Sequence, residues 1–181
     1  MGLFLAALIG LILLARKGGA ERSGSRPESI ALIGDSLAVG LRAPLAALAA
    51  SHGVTFTADV RGGTNAGQWL SNWTRHVLEK HPSALLISLG TNDSAVPGNS
   101  PLFIERARRL VEMADDYGAA VFWLMPPPMP WSLADVERGI AESGGARIDP
   151  PAGLKRAPDK IHASGSGYTA WAEAIWSDLY G

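Results

Sequence analysis

Short apolar runs alternate with segments of helical spacing along most of the chain. Five runs have the length of strands, and they cover residues 29–33, 55–60, 84–89, 119–125 and 146–149. Five longer segments have the pattern of helices, over residues 41–50, 66–80, 100–117, 132–143 and 165–180. Strands that alternate with helices favour a parallel sheet covered by helices on both faces. We therefore expect an α/β fold built on one five-stranded parallel sheet.

The first residues of the chain have a different pattern. Residues 2–15 are uninterrupted apolar sequence and are followed by Arg16 and Lys17. As a helix this run would be roughly 21 Å long, shorter than the ~30 Å hydrocarbon core of a bilayer. We expect residues 1–17 to be a signal or membrane-anchor segment, and the protein to be membrane-associated or exported. The topology stays open, because secretory signals carry their charges before the apolar run, and charges after it favour the cytoplasmic side.

Composition and charge limit what the rest of the chain can be. A polar, Gly/Ser-rich linker over residues 18–27 leads to a single expected domain over residues 28–181. Apolar residues make up 47% of the chain and charged residues 18%, which excludes a disordered protein. The formal charge is -1 and no basic stripe is present, so nucleic acid is not an expected partner. The absence of cysteine excludes disulfides, thiolate catalysis and cysteine metal sites.

Four residues of chemical interest follow the predicted strands. Ser36 lies at a glycine-flanked turn from the first strand into the first helix, where a hydroxyl is held exposed on a tight bend. Gly62 follows the second strand, Asn92 follows the third, and His162 lies in a loop after the fifth. In open parallel sheets, ligands bind outside the carboxyl ends of the strands. The four residues are therefore expected to meet at one edge of the sheet.

Together with Asp159, these residues supply every group that acyl transfer requires. Such a reaction needs a nucleophile, a base, a group that orients the base, and donors for an oxyanion. We assign Ser36 as the nucleophile, His162 as the base and Asp159 as the carboxylate that orients the imidazole. The assigned oxyanion donors are the backbone N–H groups of Ser36 and Gly62 and the side-chain amide of Asn92.

Two of these assignments have alternatives in the sequence. Gly63 follows Gly62 directly, so either glycine is a candidate oxyanion donor. Asp159 is also a typical residue for capping a turn, and Asp149 ends the nearby fifth strand. At the level of sequence these alternatives stay open.

The order and spacing of these residues resemble a known enzyme family. Four segments resemble the four sequence blocks of SGNH (GDSL-type) esterases and lipases. They are Gly34-Asp35-Ser36-Leu37, Gly62, Gly90-Thr91-Asn92-Asp93 and Asp159-x-x-His162. The match covers about residues 30–170, nearly the whole expected domain. The resemblance implies a flavodoxin-like three-layer α/β/α sandwich. It also implies hydrolysis of esters or thioesters through an acyl-serine, with no metal or other cofactor.

Residues near these motifs have less specific patterns. Asp35 and Asp93 are expected to tie their loops through side-chain-to-backbone hydrogen bonds. The helix over residues 100–117 carries three arginines that have the pattern of a solvated face, Arg106, Arg108 and Arg109.

Trp131 is a candidate substrate-binding residue. It follows the proline run 126–128 in the loop after the fourth strand, on the side of the sheet where the site is expected. There an indole would stack on a sugar, line an acyl pocket, or pack only within its own loop.

The most specific interpretation is a serine esterase for small acyl groups, with a carbohydrate O-acetyl ester as a candidate substrate. Short connections between the predicted elements leave no lid domain to enclose a long acyl chain. A lysophospholipase or acyl-thioesterase would use the same residues, and the apolar run 2–15 would place it at a lipid surface. A protein that keeps this fold only to bind glycans or membranes is the alternative from another class. The expected partner is thus a small-molecule, glycan or lipid ester, and the sequence does not indicate an oligomeric state.

Overall fold

The computed structural model describes residues 26–96, 98 and 100–181. The predicted anchor or signal segment, residues 1–17, and residues 18–25 of the predicted linker lie outside them. Among the described residues, no helix combines the length and the apolar character that crossing a membrane requires.

The centre of the fold is a five-stranded sheet, as the apolar runs predict. Its strands are β1 (Ser29–Gly34), β2 (Thr55–Val60), β3 (Ala84–Ser88), β4 (Ala120–Leu124) and β5 (Ala146–Ile148). All neighbouring strands are parallel, and their order is β2-β1-β3-β4-β5. From β1 the chain adds β2 on one side of it, and then adds β3, β4 and β5 in turn on the other side. The point where the strand order reverses, the topological switch point, therefore lies between β1 and β3. Sheets of this topology bind ligands at that point, beyond the carboxyl ends of the strands.

Helices follow the strands at the predicted places. They are α1 (Ser36–Ser51), α2 (Ala66–Gln68), α3 (Thr74–Leu78), α4 (Thr91–Ala95), α5 (Ser100–Asp116), α6 (Ala134–Ser143) and α7 (Gly165–Tyr180). A π-helical turn over Trp69–Trp73 joins α2 to α3. α4 was not predicted, because five residues are too few to show a helical period.

Two hydrophobic cores hold the helices on opposite faces of the sheet. Ala31 and Ile33 of β1 belong to the core that also contains residues of α2, α3, α5 and α6. Ile30 and Leu32 belong to the core that contains residues of α1 and α7. Successive residues of a strand point to opposite faces, so one apolar run supplies both cores. The three layers are therefore helix, sheet and helix.

Helix α1 begins five residues before the start that its apolar pattern predicts, at Ser36 instead of residue 41. Asp35 is the N-cap, and its Oδ1 accepts the backbone N–H of Leu37 at 3.0 Å. Pro44 lies inside the helix, where it has no N–H to give to the preceding turn. The capping carboxylate therefore decides where the helix starts, although glycine and proline weaken the helical pattern. Ser36 becomes its first residue.

The two helices on one face, α1 and α7, approach closely beside Ser36. A Cβ at Gly40 would lie 2.1 Å from Cζ of Tyr168, so the tyrosine ring fills the space that a side chain would need. Gly40 follows Ser36 by one helical turn. The absence of a side chain at this position thus allows α7 to pack directly behind the serine.

Candidate active site

Ser36 is held at the carboxyl end of β1 by a tight backbone turn. A Cβ at Gly34, the last residue of β1, would lie 2.2 Å from the Ser88 carbonyl oxygen at the end of β3. The Asp35 N–H donates to the same oxygen at 3.0 Å. Only glycine allows the backbone to pass this close. Ser36 consequently lies at the switch point between β1 and β3.

Three side chains form a continuous hydrogen-bonded chain that ends at Ser36. His162 Nε2 lies 2.9 Å from Ser36 Oγ, and His162 Nδ1 lies 2.7 Å from Asp159 Oδ2. A carboxylate at Nδ1 favours the tautomer in which Nδ1 carries the proton and Nε2 accepts from the hydroxyl. The fold thus brings together a serine and a histidine that are 126 residues apart in sequence.

Asp159 also shapes the loop that carries His162. Its Oδ1 accepts the backbone N–H groups of Ile161 and His162, each at 2.9 Å. The pKa of Asp159 is lowered to about 2, mainly by the hydrogen bond from the His162 ring and to a smaller extent by these two N–H groups. The residue therefore caps its turn and bonds the imidazole at the same time. Asp149 pairs instead with Arg147, whose Nη2 lies 2.6 Å from its Oδ1.

Arg156 supports the same loop, although its position in the sequence has no distinctive pattern. Its Nη2 donates to the carbonyl oxygens of Lys160 and Ile161, each at 2.6 Å. Arg156 also pairs with Ala163 in an antiparallel bridge that closes the base of the loop. Lys160 has a φ of 59°, a conformation that residues with side chains rarely adopt. The guanidinium group therefore holds a loop that contains an uncommon backbone conformation.

Gly62 lies beside Ser36, and Asn92 lies beside Asp35 and the turn that follows Gly62. A Cβ at Gly62 would lie 4.0 Å from Cβ of Ser36, whereas a Cβ at Gly63 would have no atom within 4 Å. Asn92 Nδ2 donates to the carbonyl oxygen of Thr64 at 2.9 Å. This bond fixes the plane of the Asn92 amide against the turn that follows Gly62.

Trp131 is attached to the helix that carries Asn92. Its Nε1 donates to Ser94 Oγ at 3.0 Å, and Ser94 lies in α4 two residues after Asn92. The residue is half-buried. The loop after β4 is therefore fixed to α4, and the indole lies at the edge of the sheet where the candidate site is located.

Solved structures of other proteins share this architecture. A GDSL-like lipase from Bacteroides thetaiotaomicron has a TM-score of 0.66 at 17% identity, over 84% of this chain and 87% of that one. A family 3 carbohydrate esterase from Clostridium thermocellum has a TM-score of 0.66 at 17% identity, over 82% and 93%. A mutant acetyl-xylooligosaccharide esterase from Geobacillus has a TM-score of 0.65 at 18% identity, over 84% and 94%. The chain has the SGNH hydrolase fold.

The SGNH hydrolase fold confirms the three-layer α/β/α sandwich that the sequence motifs imply. The evidence is structural likeness, and at identities of 17% to 18% that likeness shows the fold alone. No family model and no curated protein matches the sequence.

Two buried carboxylates lie beneath the site, on Asp35 and Asp93. As predicted, each accepts a backbone N–H; the donor to Asp93 Oδ2 is Ala66, at 3.0 Å. Burial is the main cause that raises the pKa of Asp35 to about 7; the Leu37 N–H opposes the rise and the nearby Asp93 carboxylate adds to it. Asp35 Oδ2 also lies 3.3 Å from Asn92 Nδ2. A carboxyl group with a pKa near neutrality thus adjoins the candidate oxyanion donor.

The prediction of a solvated helix face is wrong for Arg106. Its Nη1 lies 3.1 Å from Asp93 Oδ1, and its side chain is only 23% exposed. Arg108 pairs with Glu105 at the surface, and Arg109 is exposed. Arg106 differs from these two because a buried carboxylate is stabilised by a charged hydrogen-bonding partner.

The raised pKa of Asp35 predicts how stability depends on pH. Between 3.8, the ordinary value, and about 7, the folded protein holds a proton that the unfolded chain releases. The free energy of unfolding therefore falls as pH rises through this window, by about 1.4 kcal/mol per pH unit from this group. Asparagine is neutral at every pH, so Asp35→Asn should show a shallower decline. Denaturant unfolding at several pH values measures both slopes.

Asp178→Asn is the matched control, because Asp178 is an exposed carboxylate of α7. It should keep the wild-type dependence of unfolding free energy on pH. Identical slopes in Asp35→Asn and the wild-type protein would contradict a buried proton on Asp35.

Proposed function

We propose that the protein is a serine esterase, which hydrolyses carboxylic esters of small acyl groups through an acyl-serine intermediate. The observation that carries this proposal is the hydrogen-bonded chain from Asp159 through His162 to Ser36, with distances of 2.7 and 2.9 Å. A base held by a carboxylate and in contact with a hydroxyl is the arrangement that activates a serine nucleophile. The likeness to solved lipases and esterases supports the same reaction class.

In the first step, Ser36 Oγ forms a bond to the ester carbonyl carbon. His162 Nε2 accepts the hydroxyl proton, and the carbonyl π electrons move to the oxygen, which becomes an oxyanion. Asp159 stabilises the imidazolium that forms, since its low pKa keeps the carboxylate ionised.

The proposed oxyanion donors are the N–H groups of Ser36 and Gly62 and the Asn92 amide. We choose Gly62 over Gly63 because only a Cβ on Gly62 would lie near the Ser36 side chain, at 4.0 Å. Donors held in place before the reaction stabilise the charge that develops in the transition state.

Asn92 Nδ2 carries two N–H groups and has two acceptors within reach. One is held by the carbonyl oxygen of Thr64 at 2.9 Å. The other is proposed for the oxyanion, and its nearest acceptor without substrate is Asp35 Oδ2 at 3.3 Å. That contact is longer than a typical N–H···O bond, so an oxyanion can replace it.

The remaining steps return the serine. His162 gives its proton to the leaving alkoxide as the C–O bond to the alcohol breaks, and the acyl group remains on Ser36 Oγ. A water molecule then gives a proton to His162 and attacks the acyl carbon. The second tetrahedral intermediate collapses, Ser36 regains its proton from His162, and the carboxylic acid departs.

Small acyl groups on carbohydrates are the proposed substrates. In the described residues, the loops 125–133 and 149–164 at the carboxyl edge contain no inserted helix that would enclose a long acyl chain. Two of the similar solved structures are named as carbohydrate esterases. Trp131, held by Ser94, is proposed as the ring surface against which a sugar would stack.

The test is hydrolysis of p-nitrophenyl esters of increasing acyl length by the full chain, with Ser36→Ala as the blank. We expect the acetate to react fastest, a steep decline with acyl length, and no turnover above background in the variant. A preference for long acyl chains would favour a lysophospholipid or an acyl-thioester as the substrate. Equal rates for the two proteins on every ester would contradict the proposed enzyme and favour a binding protein on the same fold.

The apolar residues 2–15 are proposed to attach the protein to a membrane or to direct its export. This proposal is supported by the composition of that segment. It would bring the candidate site close to esters at a cell surface or membrane.

A further inference from the structure

Helix α4 holds the turn after Gly62 at two points. Asn92 Nδ2 donates to the Thr64 carbonyl oxygen at 2.9 Å, and the Ala66 N–H donates to Asp93 Oδ2 at 3.0 Å. Because Asn92 and Asp93 are adjacent, the two bonds fix α4 and the turn to each other. The relative position of Gly62 and the Asn92 amide therefore depends on both bonds.

The turn is also braced from within. Thr64 Oγ1 donates to the Arg61 carbonyl oxygen at 2.7 Å and accepts from Trp69 Nε1 at 3.0 Å. Trp69 is fully buried in the core beneath. Because Thr64 is bonded to Arg61, a displacement of Ala66 would also displace Thr64 and the neighbouring segment that contains Gly62.

Arg106 is the residue that holds Asp93 in this position. Its Nη1 lies 3.1 Å from Asp93 Oδ1, while the other carboxylate oxygen accepts from Ala66. A Cβ at Gly67 would lie 3.0 Å from Cζ of Arg106, so the guanidinium packs against the backbone of α2. Arg106 thus contacts both elements that the Asp93–Ala66 hydrogen bond connects, namely the Asp93 carboxylate on α4 and the backbone of α2.

The charge of Arg106 is also needed at this place. Asp93 is completely buried, and the buried Asp35 lies close enough for its charge to be affected by Asp93. A buried carboxylate that loses its cationic partner is strongly destabilised, or it takes up a proton and loses the charge that orients it toward its donors. Without Arg106, the carboxylate would no longer be held in the orientation that receives Ala66.

We propose that Arg106 is a positioning residue for the oxyanion hole, which it aligns through Asp93 and the turn over residues 64–66. This inference rests on the proposed esterase function. Arg106 does not contact the hydrogen-bonded side chains of Asp159, His162 and Ser36. Its effect is therefore on the placement of Gly62 and Asn92. When oxyanion donors are misplaced, the enzyme loses more binding energy for the transition state than for the bound substrate.

The experiment compares ester hydrolysis by Arg106→Met, Arg106→Lys and Arg109→Met with that of the wild-type full chain. Arg109 is the matched control, an exposed arginine on the same helix. We expect Arg106→Met to lower kcat by ~10-fold to ~10²-fold with KM changed less than ~2-fold, as for misplaced catalytic groups. Arg106→Lys should have an intermediate kcat, since an ammonium keeps the charge but not the planar fork. Arg109→Met should behave as the wild-type protein.

Three outcomes would overturn the inference. The first is a wild-type kcat in Arg106→Met, and the second is an effect of Arg106→Met on KM alone. The third is an Arg106→Lys variant that folds but has a kcat no higher than that of Arg106→Met. If Arg106→Met does not fold, as judged by circular dichroism, Arg106→Lys is tested against wild type; a wild-type kcat in it would then overturn the inference.

A double-mutant cycle with Asn92→Ala tests whether Arg106 acts through the oxyanion hole. Asn92→Ala alone should lower kcat by ~10²-fold or more. The double variant with Arg106→Lys should lose less than the product of the two single losses, because both substitutions damage one unit. Independent, multiplying losses would overturn the inference. An inactive wild-type protein would instead contradict the proposed function, so the two failures are distinguishable.

Discussion

His162→Ala is expected to lower kcat for ester hydrolysis by ~10⁴-fold to ~10⁶-fold, the range for removal of the base from a serine triad. The alanine variant has no group to take the Ser36 proton, which His162 Nε2 receives across 2.9 Å in the native protein. It also has no group to take the proton of the water that attacks the acyl-serine, so both halves of the reaction are slowed. Initial rates with p-nitrophenyl acetate measure the loss.

His76→Ala is the matched control for this variant, because His76 is an exposed histidine on α3. It should hydrolyse the ester at the wild-type rate. Residual activity of His162→Ala within ~10-fold of wild type would show that another group takes the serine proton, and the proposed mechanism would be wrong.

Asp159→Asn should lower kcat by ~10³-fold to ~10⁴-fold, as expected when the orienting carboxylate of a triad becomes an amide. An amide carries no charge to stabilise the imidazolium. Its NH₂ group can also bond His162 Nδ1 in the tautomer that leaves Nε2 protonated and unable to accept from Ser36. KM should change little, because Asp159 does not contact the substrate in the proposed mechanism.

Asp149→Asn is the decisive control for Asp159. Both are exposed aspartates near the carboxyl edge, but Asp149 pairs with Arg147 and Asp159 with His162. The Asp149 variant should therefore keep wild-type kcat. A larger loss in Asp149→Asn than in Asp159→Asn would reverse the assignment of the orienting carboxylate.

The inner strands β1 and β3 were predictable because nearly all of their residues are buried and apolar. Strand β3 is buried along its whole length, and its sequence from Ala84 to Ser88 is almost entirely apolar. That Ser36 and Asn92 come to the same edge of the sheet could be predicted for a related reason: carboxyl ends of parallel strands share one edge. Topology therefore brings together residues that are far apart in sequence.

The inward arginine was harder to predict from sequence, although one signal was present. Arg106 follows Phe103 by three residues and precedes Leu110 by four, and both of these residues are buried. This spacing places the arginine on the apolar side of α5. Its partner Asp93 lies in α4, which was not predicted, so the sequence alone did not show why an arginine would point inward.

The π-helical turn shows a different limit. Trp69 and Val77 have the spacing of one helix face, and both are buried as that spacing indicates. The extra residue in the turn comes from the hydroxyl and the N–H of Thr74, which both bond the Trp69 carbonyl. A single threonine in a long helical pattern gives no sign of this arrangement.

The contact between Gly40 and the ring of Tyr168 has a consequence for variation at these two positions. Replacing an interior helical glycine with alanine usually favours the helix by about 0.5–1 kcal/mol, but at Gly40 the new methyl group would meet the ring at 2.1 Å. Among natural variants of this protein, a larger residue at position 40 should therefore occur with a smaller one at position 168. Directed evolution for thermostability should likewise recover substitutions at position 40 only in pairs.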